Sequence, residues 1–274
     1  MIVLKAVFSE FVGPLVVFLC FSIATISVAN DRSSEQTIPG QSSSAFQNLL
    51  DDNGIDYQIP PEGKAILVNI PAFELTTFQD GIPVFRSKVI VGAPWHRTPR
   101  VQTFTSAVRF RPTWRPTPSM IASGEHRDRV VPAGPNNPLG LAAVRLQPGM
   151  LVYLHDTNHR ELFDLDARAL SHGCIRVQRW DDLAAWLLEM SLDQVHAYAN
   201  GNRTFDIPTP PVPVRLGYFT VFPDAFGSIV RHPDIYNLGK SAAHLPEIAP
   251  NTATNQFAER ISTTDPFLSC ANKG

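Results

Sequence analysis

The sequence predicts a mainly β domain with a few helices, an α+β fold. Three observations carry that expectation. Ile66, Val68 and Ile70 recur at every second position, the period of a strand with one face turned inward. Asp80-Gly81 separates two β-prone runs, Phe73–Phe78 and Val84–Val91, which is the pattern of a hairpin. Twenty-four prolines suit short strands joined by ordered loops better than they suit a helical chain.

At the start of the chain, residues 1–29 are expected to be a signal peptide or a retained membrane anchor. Lys5 gives a weak positive start, Phe11 to Ala29 is nearly all apolar, and Ser27-Val28-Ala29 has the small-x-small pattern of a signal-peptidase site. The stretch also reaches the roughly 20 residues a bilayer span needs. Either outcome exports the rest of the chain. Residues 30–60 are polar, include Ser42-Ser43-Ser44 and a short helical stretch near Ala45–Leu50, and are expected to be a linker. The folded domain is expected over residues 61–238.

Within it, Val101–Phe110 is a further β candidate. Arg111–Ser119 and Pro132–Gly140 are Pro-rich loops. Leu141–Leu146 and Leu151–His155 return to strand. Asp181 and Asp182, followed by Leu183-Ala184-Ala185-Trp186-Leu187-Leu188, mark the clearest helix, with acidic residues in its first turn. Val212–Phe222 and Ser228–Arg231 read as closing strands, and residues 239–274 as a C-terminal tail without periodicity.

Composition narrows function. A hydrophobic fraction of 44% with 18% charged residues belongs to a folded chain, and a net charge of −2 gives no general basic surface for nucleic acid. The three cysteines do not make a disulfide framework. Cys20 falls in the targeting segment, without the small residues of a lipoprotein site, which leaves Cys174 and Cys270. A Cys174–Cys270 disulfide is the structural alternative to a reactive thiol. The polar surroundings of Cys270 and the motif around Cys174 weigh against it.

That motif is Ser171-His172-Gly173-Cys174-Ile175-Arg176-Val177. A cysteine attacks as the thiolate, which a nearby histidine or arginine favours. Gly173 removes a Cβ beside the sulfur and permits close backbone approach. Upstream, the apolar run Leu151-Val152-Tyr153-Leu154 delivers His155 at a strand end. Nucleophile and base on separate segments is the usual arrangement of thiol enzymes.

The spacing of His155, 19 positions before the cysteine, together with Ser-His-Gly-Cys-Ile-Arg, resembles the signature of the L,D-transpeptidase (YkuD domain) family, and most nearly its larger Gram-negative members. Further blocks are similar to that family: Ile66–Pro71, Val89–Gly92, Thr98-Pro99, Pro135–Gly140, Leu154–Thr157 and the run from Pro213 to Tyr236. The resemblance covers about residues 61–238 and implies an L,D-transpeptidase-type β-sandwich catalytic domain.

It also implies a periplasmic enzyme of cell-wall organisation that acts on peptidoglycan stem peptides. No cofactor would be needed, and the inner membrane would be a partner only if the N-terminal segment is retained. Cys174 would attack an amide carbonyl and form a thioester, and a second stem peptide would resolve it into a 3-3 cross-link. His155 would be the general base, its ordinary pKa near 6.5 suiting proton transfer in both directions. His172 would shape the loop or the oxyanion hole, with Ser171 and the backbone around Gly173 and Cys174 close by.

Arg176 has two open readings: thiolate or carboxylate binding, and a buried pair with Asp156 or Asp181. Tyr153 and Trp114 either line the groove or belong to the core. Asn136 resembles a family loop residue. Arg179 stands where the family often has Asn, which implies a different brace after the nucleophile. The segment between Ser119 and Gly140 looks shorter than the cap of the larger relatives.

Two alternatives stay open. The same thioester resolved by water gives an L,D-carboxypeptidase or a wall–lipoprotein amidase. His155, His159, His172 and Cys174 also form a soft N/S set that suits zinc, although neither a helix-borne acidic base nor a C-x2-C pair accompanies it.

Overall fold

The computed structural model describes residues 43–239. The expected targeting segment, the tail from residue 240 onward and Cys270 lie outside the described residues. No helix among the described residues is long and apolar enough to cross a membrane.

The fold is mainly β with a few helices. The strands are β1 (Lys64–Asn69), β2 (Glu74–Gln79), β3 (Ile82–Gly92), β4 (Val101–Phe110), β5 (Ala142–Leu146), β6 (Tyr153–His155), β7 (Ala169–Ser171), β8 (Ile175–Val177), β9 (Phe205–Pro208), β10 (Pro213–Gly217), β11 (Val221–Pro223) and β12 (Ile229–Arg231). The helices are α1 (Ser43–Asp52), α2 (Pro118–Ala122), α3 (Trp180–Leu188) and α4 (Leu192–Ala199). Ten strands form one sheet in the order β10-β1-β2-β3-β8-β6-β5-β4-β9, with β7 beside β3.

Strand β10 pairs with β1 in parallel and with β4 antiparallel. The sheet therefore returns on itself, and the two faces of the expected sandwich are parts of one continuous, closed sheet. The β2–β3 hairpin forms as expected. Asp80 at φ 52° and Gly81 at φ 78° supply the positive φ pair of a tight hairpin turn.

The closed sheet encloses a core built by alternation. Ile66 and Val68 of β1 point into the main cluster, with Val89 and Val91 of β3, Val108 and Phe110 of β4, Leu154 of β6 and Ile175 of β8. Leu183 and Leu187 of α3 and Val195 of α4 join the same cluster. Helix α4 starts with a capping box, in which Ser191 accepts from the Gln194 N–H and the Gln194 side chain accepts from the Ser191 N–H.

The expected linker is the first correction. Phe46 and Leu50 of α1, with Ile55, Tyr57 and Ile59 after it, bury against Ala65 and Leu67 on the other face of β1 and against Phe78, Phe219 and Phe222. The cause is physical: β1 is apolar on both faces, so its outward face also needs cover. Fully burying one large apolar side chain contributes about 1.5–3 kcal/mol, enough for residues 46–59 to pack as part of the domain.

Candidate active site

Strands β6 and β8 run side by side in parallel, with Leu154 opposite Ile175 and His155 opposite Arg176. Leu154 and Ile175 point into the main core. The alternation of a strand then turns Tyr153, His155, Cys174 and Arg176 to the opposite face. There Tyr153 and Cys174 join a small buried cluster with Trp114, Met120, Leu139 and Ala143. His155 and Cys174 thus lie on one face of neighbouring strands, offset along them by about one alternation.

The motif's loop is held from several sides. Ser171 is buried; its hydroxyl donates to the Cys174 carbonyl oxygen at 2.5 Å and accepts from the Gly173 N–H at 3.1 Å. Two expectations change here. Ser171 is a brace of the turn, and the Gly173 N–H is engaged inside the turn instead of being turned toward a substrate. Gly173 takes φ 105°, a conformation that a side chain rarely tolerates. Its carbonyl accepts from the Thr98 hydroxyl at 2.9 Å, and that hydroxyl accepts in turn from the Gly92 N–H at 2.8 Å.

Tyr236 completes this network. Its hydroxyl donates to the Gly92 carbonyl at 2.7 Å and accepts from the Thr98 N–H at 3.1 Å. A Cβ on Gly92 would stand 2.0 Å from the His96 carbonyl oxygen, so only glycine lets the chain fold back there. Thr98 and Tyr236 are the residues that the sequence left without a role, although both fall in blocks that resemble the family.

Cys174 is 2% exposed, and its Sγ lies 3.6 Å from the Leu151 carbonyl oxygen. Cys20 and Cys270 lie outside the described residues.

His155 is buried, and its Nδ1 is 2.5 Å from the Asp156 carbonyl oxygen. Only an Nδ1–H can donate to that oxygen, so Nε2 is the lone-pair nitrogen of the neutral ring. Burial, with Arg176 beside it, pushes its pKa down to about 3. Asp156 is fixed by the Leu141 N–H at 2.9 Å and by Arg160 at 2.9 Å. Burial raises its carboxyl pKa against those donors.

Arg176 pairs with neither candidate. Asp156 is taken by Arg160, and Asp181 by His196 at 2.9 Å. The Arg176 side chain is partly buried and makes no hydrogen bond or ion pair among the described residues; burial lowers its pKa, opposed by Glu161. Arg179 supplies the brace expected after the nucleophile. It bonds Asp182 at 2.7 Å, and its main chain donates to the Ser87 hydroxyl at 3.0 Å.

Trp114 and Tyr153 are buried in the cluster that contains Cys174. Asn136 is a correction: it is exposed and makes no hydrogen bond among the described residues, because its neighbour takes the inward position. Asn137 is fully buried, donates to the carbonyls of Pro112, Val131 and Pro132, and accepts from the Leu139 N–H. It sets the loop that backs Trp114.

His172 turns to other partners. Its Nε2 is 2.6 Å from Glu125 Oε2, and its ring lies 4.5 Å from that of His96. The hydrogen bond from His172 holds the Glu125 carboxyl below its ordinary pKa. The metal set weighed from the sequence does not assemble. His155 is buried, His159 pairs with Glu161, and the single group of three or more ligand side chains among the described residues is His96, Glu125 and His172.

A closed, mainly β sheet with a cysteine and a neutral histidine on one face of adjacent strands defines a class of domain. The chain belongs to the L,D-transpeptidase catalytic domain (YkuD) family, whose model matches residues 63–214. Among curated proteins it is 30% identical over 221 residues to a Haemophilus influenzae protein named "Putative L,D-transpeptidase", covering 65% of this chain and 45% of the relative. It is 31% identical over 181 residues to "Probable L,D-transpeptidase ErfK/SrfK" of Escherichia coli, covering 57% of each. The chain spans about half the length of these two relatives. Among solved structures, an L,D-transpeptidase from Mycobacterium smegmatis aligns at 22% identity with a TM-score of 0.36, over 56% of this chain and 58% of that one.

Proposed function

We propose that the chain is an exported peptidoglycan L,D-transpeptidase that forms 3-3 cross-links through a thioester on Cys174. The observation that carries this reading is the placement of Cys174 and His155 on one face of the paired strands β6 and β8. His155 Nε2 takes the thiol proton, and the sulfur attacks the amide carbonyl at the L-centre of diaminopimelate in a tetrapeptide stem. The main-chain N–H of Cys174 serves the developing oxyanion. The C–N bond breaks, the proton from His155 goes to the leaving nitrogen, and D-alanine departs.

The side-chain amine of a second diaminopimelate then attacks the thioester. His155 accepts its proton as the new amide forms and returns it to the departing sulfur. Arg176 carries a charge that no carboxylate among the described residues neutralises directly, so it suits a carboxylate of the stem peptide. Trp114 and Tyr153, packed beside Cys174, back the nucleophile and would face the bound stem peptide if the cluster opens to it.

Purified muropeptides incubated with the reduced protein test this directly. The expected product by mass is a dimer formed with loss of one D-alanine. A tripeptide monomer without dimer would instead indicate hydrolysis by the same site. In Cys174→Ala both products should vanish while the fold persists. A carbapenem adduct should appear by mass on Cys174, and an adduct on a serine would overturn the mechanism.

A further inference from the structure

We infer that His96, Glu125 and His172 form a site for a divalent first-row transition ion of the zinc type, which ties a loop across the nucleophile's cluster. The imidazole nitrogens and the carboxylate oxygen all lie within 4.8 Å of one another. Two imidazoles and one carboxylate form the donor set of a three-ligand zinc site with one open position. A tetrahedral ion with ligand bonds of about 2.0–2.1 Å holds its donors about 3.4 Å apart. Closing to that spacing needs only side-chain rotation, since His172 and Glu125 are 28% and 44% exposed. The 2.6 Å hydrogen bond between His172 and Glu125 opens toward that spacing as the ion takes the place of its proton.

The three ligands come from three loops. His96 lies between β3 and β4, Glu125 after α2, and His172 between β7 and β8. Next to Glu125, His126 sets its ring edge against Trp114 at 5.1 Å, and Trp114 lines the cluster that holds Cys174. Trp114 also bridges to Val131 through two main-chain hydrogen bonds, 3.0 and 2.7 Å long. An ion here clamps the 118–131 segment to the nucleophile's own loop and takes His172 out of use. The site therefore switches off access to Cys174 without occupying the sulfur.

The binding claim stands apart from the proposed reaction. Zinc chloride is titrated into protein reduced with a phosphine and desalted, and bound metal is counted after equilibrium dialysis. One zinc per chain is expected. His96→Ala and Glu125→Gln should each weaken binding at least tenfold, while Cys174→Ser should bind as wild type does. Zinc should slow alkylation of Cys174 by a small neutral reagent in wild type, with recovery on chelation, but not in His96→Ala or Glu125→Gln. Loss of binding in Cys174→Ser would place the ion on the sulfur and overturn the inference. Unchanged binding in both loop variants would overturn it as well. If Cys174→Ala retained transpeptidation, the proposed reaction would fail while zinc binding stayed as predicted.

Discussion

Thr98 donates its hydroxyl hydrogen to the Gly173 carbonyl oxygen at 2.9 Å, across 75 residues of chain. That one hydroxyl also accepts the Gly92 N–H, so it fixes the turn of the nucleophile to the end of β3. Thr98→Val keeps the shape and leaves two buried main-chain groups unpaired. Each such group costs about 1–3 kcal/mol. Denaturant unfolding should show a loss in that range, and reduced Cys174 should alkylate with altered rate. Thr98→Ser should restore both. A stable valine variant with native thiol reactivity would mean that the hydroxyl does not position the loop.

His155 gives the domain an acid limit. Its folded pKa is held down to about 3, while an unfolded histidine titrates near 6.5. Between those values the unfolded chain binds the extra proton, so stability rises with pH and is lost as pH falls from about 6.5 to about 3. The slope approaches about 1.4 kcal/mol per pH unit in that window. His155→Gln should flatten it. Urea unfolding of both proteins between pH 4 and 7 decides the matter, since parallel curves would show that the buried imidazole is not the cause.

Arg176 should trade stability for binding. It is a partly buried cation without a direct partner among the described residues, and its charge holds the His155 pKa down. Arg176→Gln is expected to stabilise the fold by about 1 kcal/mol, because relieving an unpaired buried charge is favourable. The His155 pKa should rise in the variant, as followed by NMR titration. KM for the stem peptide should increase at least tenfold with a smaller change in kcat. A less stable variant with unchanged KM would mean that Arg176 serves the fold alone.

The two motif histidines should separate in the pH dependence of alkylation of reduced Cys174. Loss of base catalysis typically costs about 10²–10⁴-fold in turnover, so His155→Ala should lose that much. It should also move the thiol titration toward the ordinary value of about 8.5, because the forming thiolate draws the proton onto Nε2 even though the ring is otherwise held neutral down to about pH 3. His172→Ala should move it less, because the His172 ring is committed to Glu125 and His96. A larger upward shift in His172→Ala would exchange the two roles.

Local patterns were legible in the sequence wherever one stretch carried its own signal. The hairpin followed from Asp80-Gly81, and Val101–Phe110 is β4 residue for residue. Cys174 and His155 stood out because motif and strand both marked them. Strands β7, β8 and β9 have only three or four residues, too few to show a period. Residues 43–60 read as polar on average, and the spaced Phe46, Leu50 and Tyr57 gained meaning only against the outer face of β1. Tyr236 meets Thr98 across 138 residues, a distance no local pattern spans. The inward asparagine proved to be Asn137, one place from the expected residue, because which neighbour faces inward is set by the loop's path.

The double pairing of β10 has a consequence for how the chain becomes a protein. β10 is the keystone between β1 and β4, and it arrives about 150 residues after β1 begins. Until residues 213–217 are available, β1 and β4 are exposed edges that can pair with other chains. Contacts this distant in sequence form slowly, because the intervening chain must first be brought together. A polypeptide delivered from its N-terminus therefore stays open until its last large strand has emerged. Stopping it before Pro213 should leave a sticky, unclosed sheet, whereas a cut after Tyr236 should leave the ring shut.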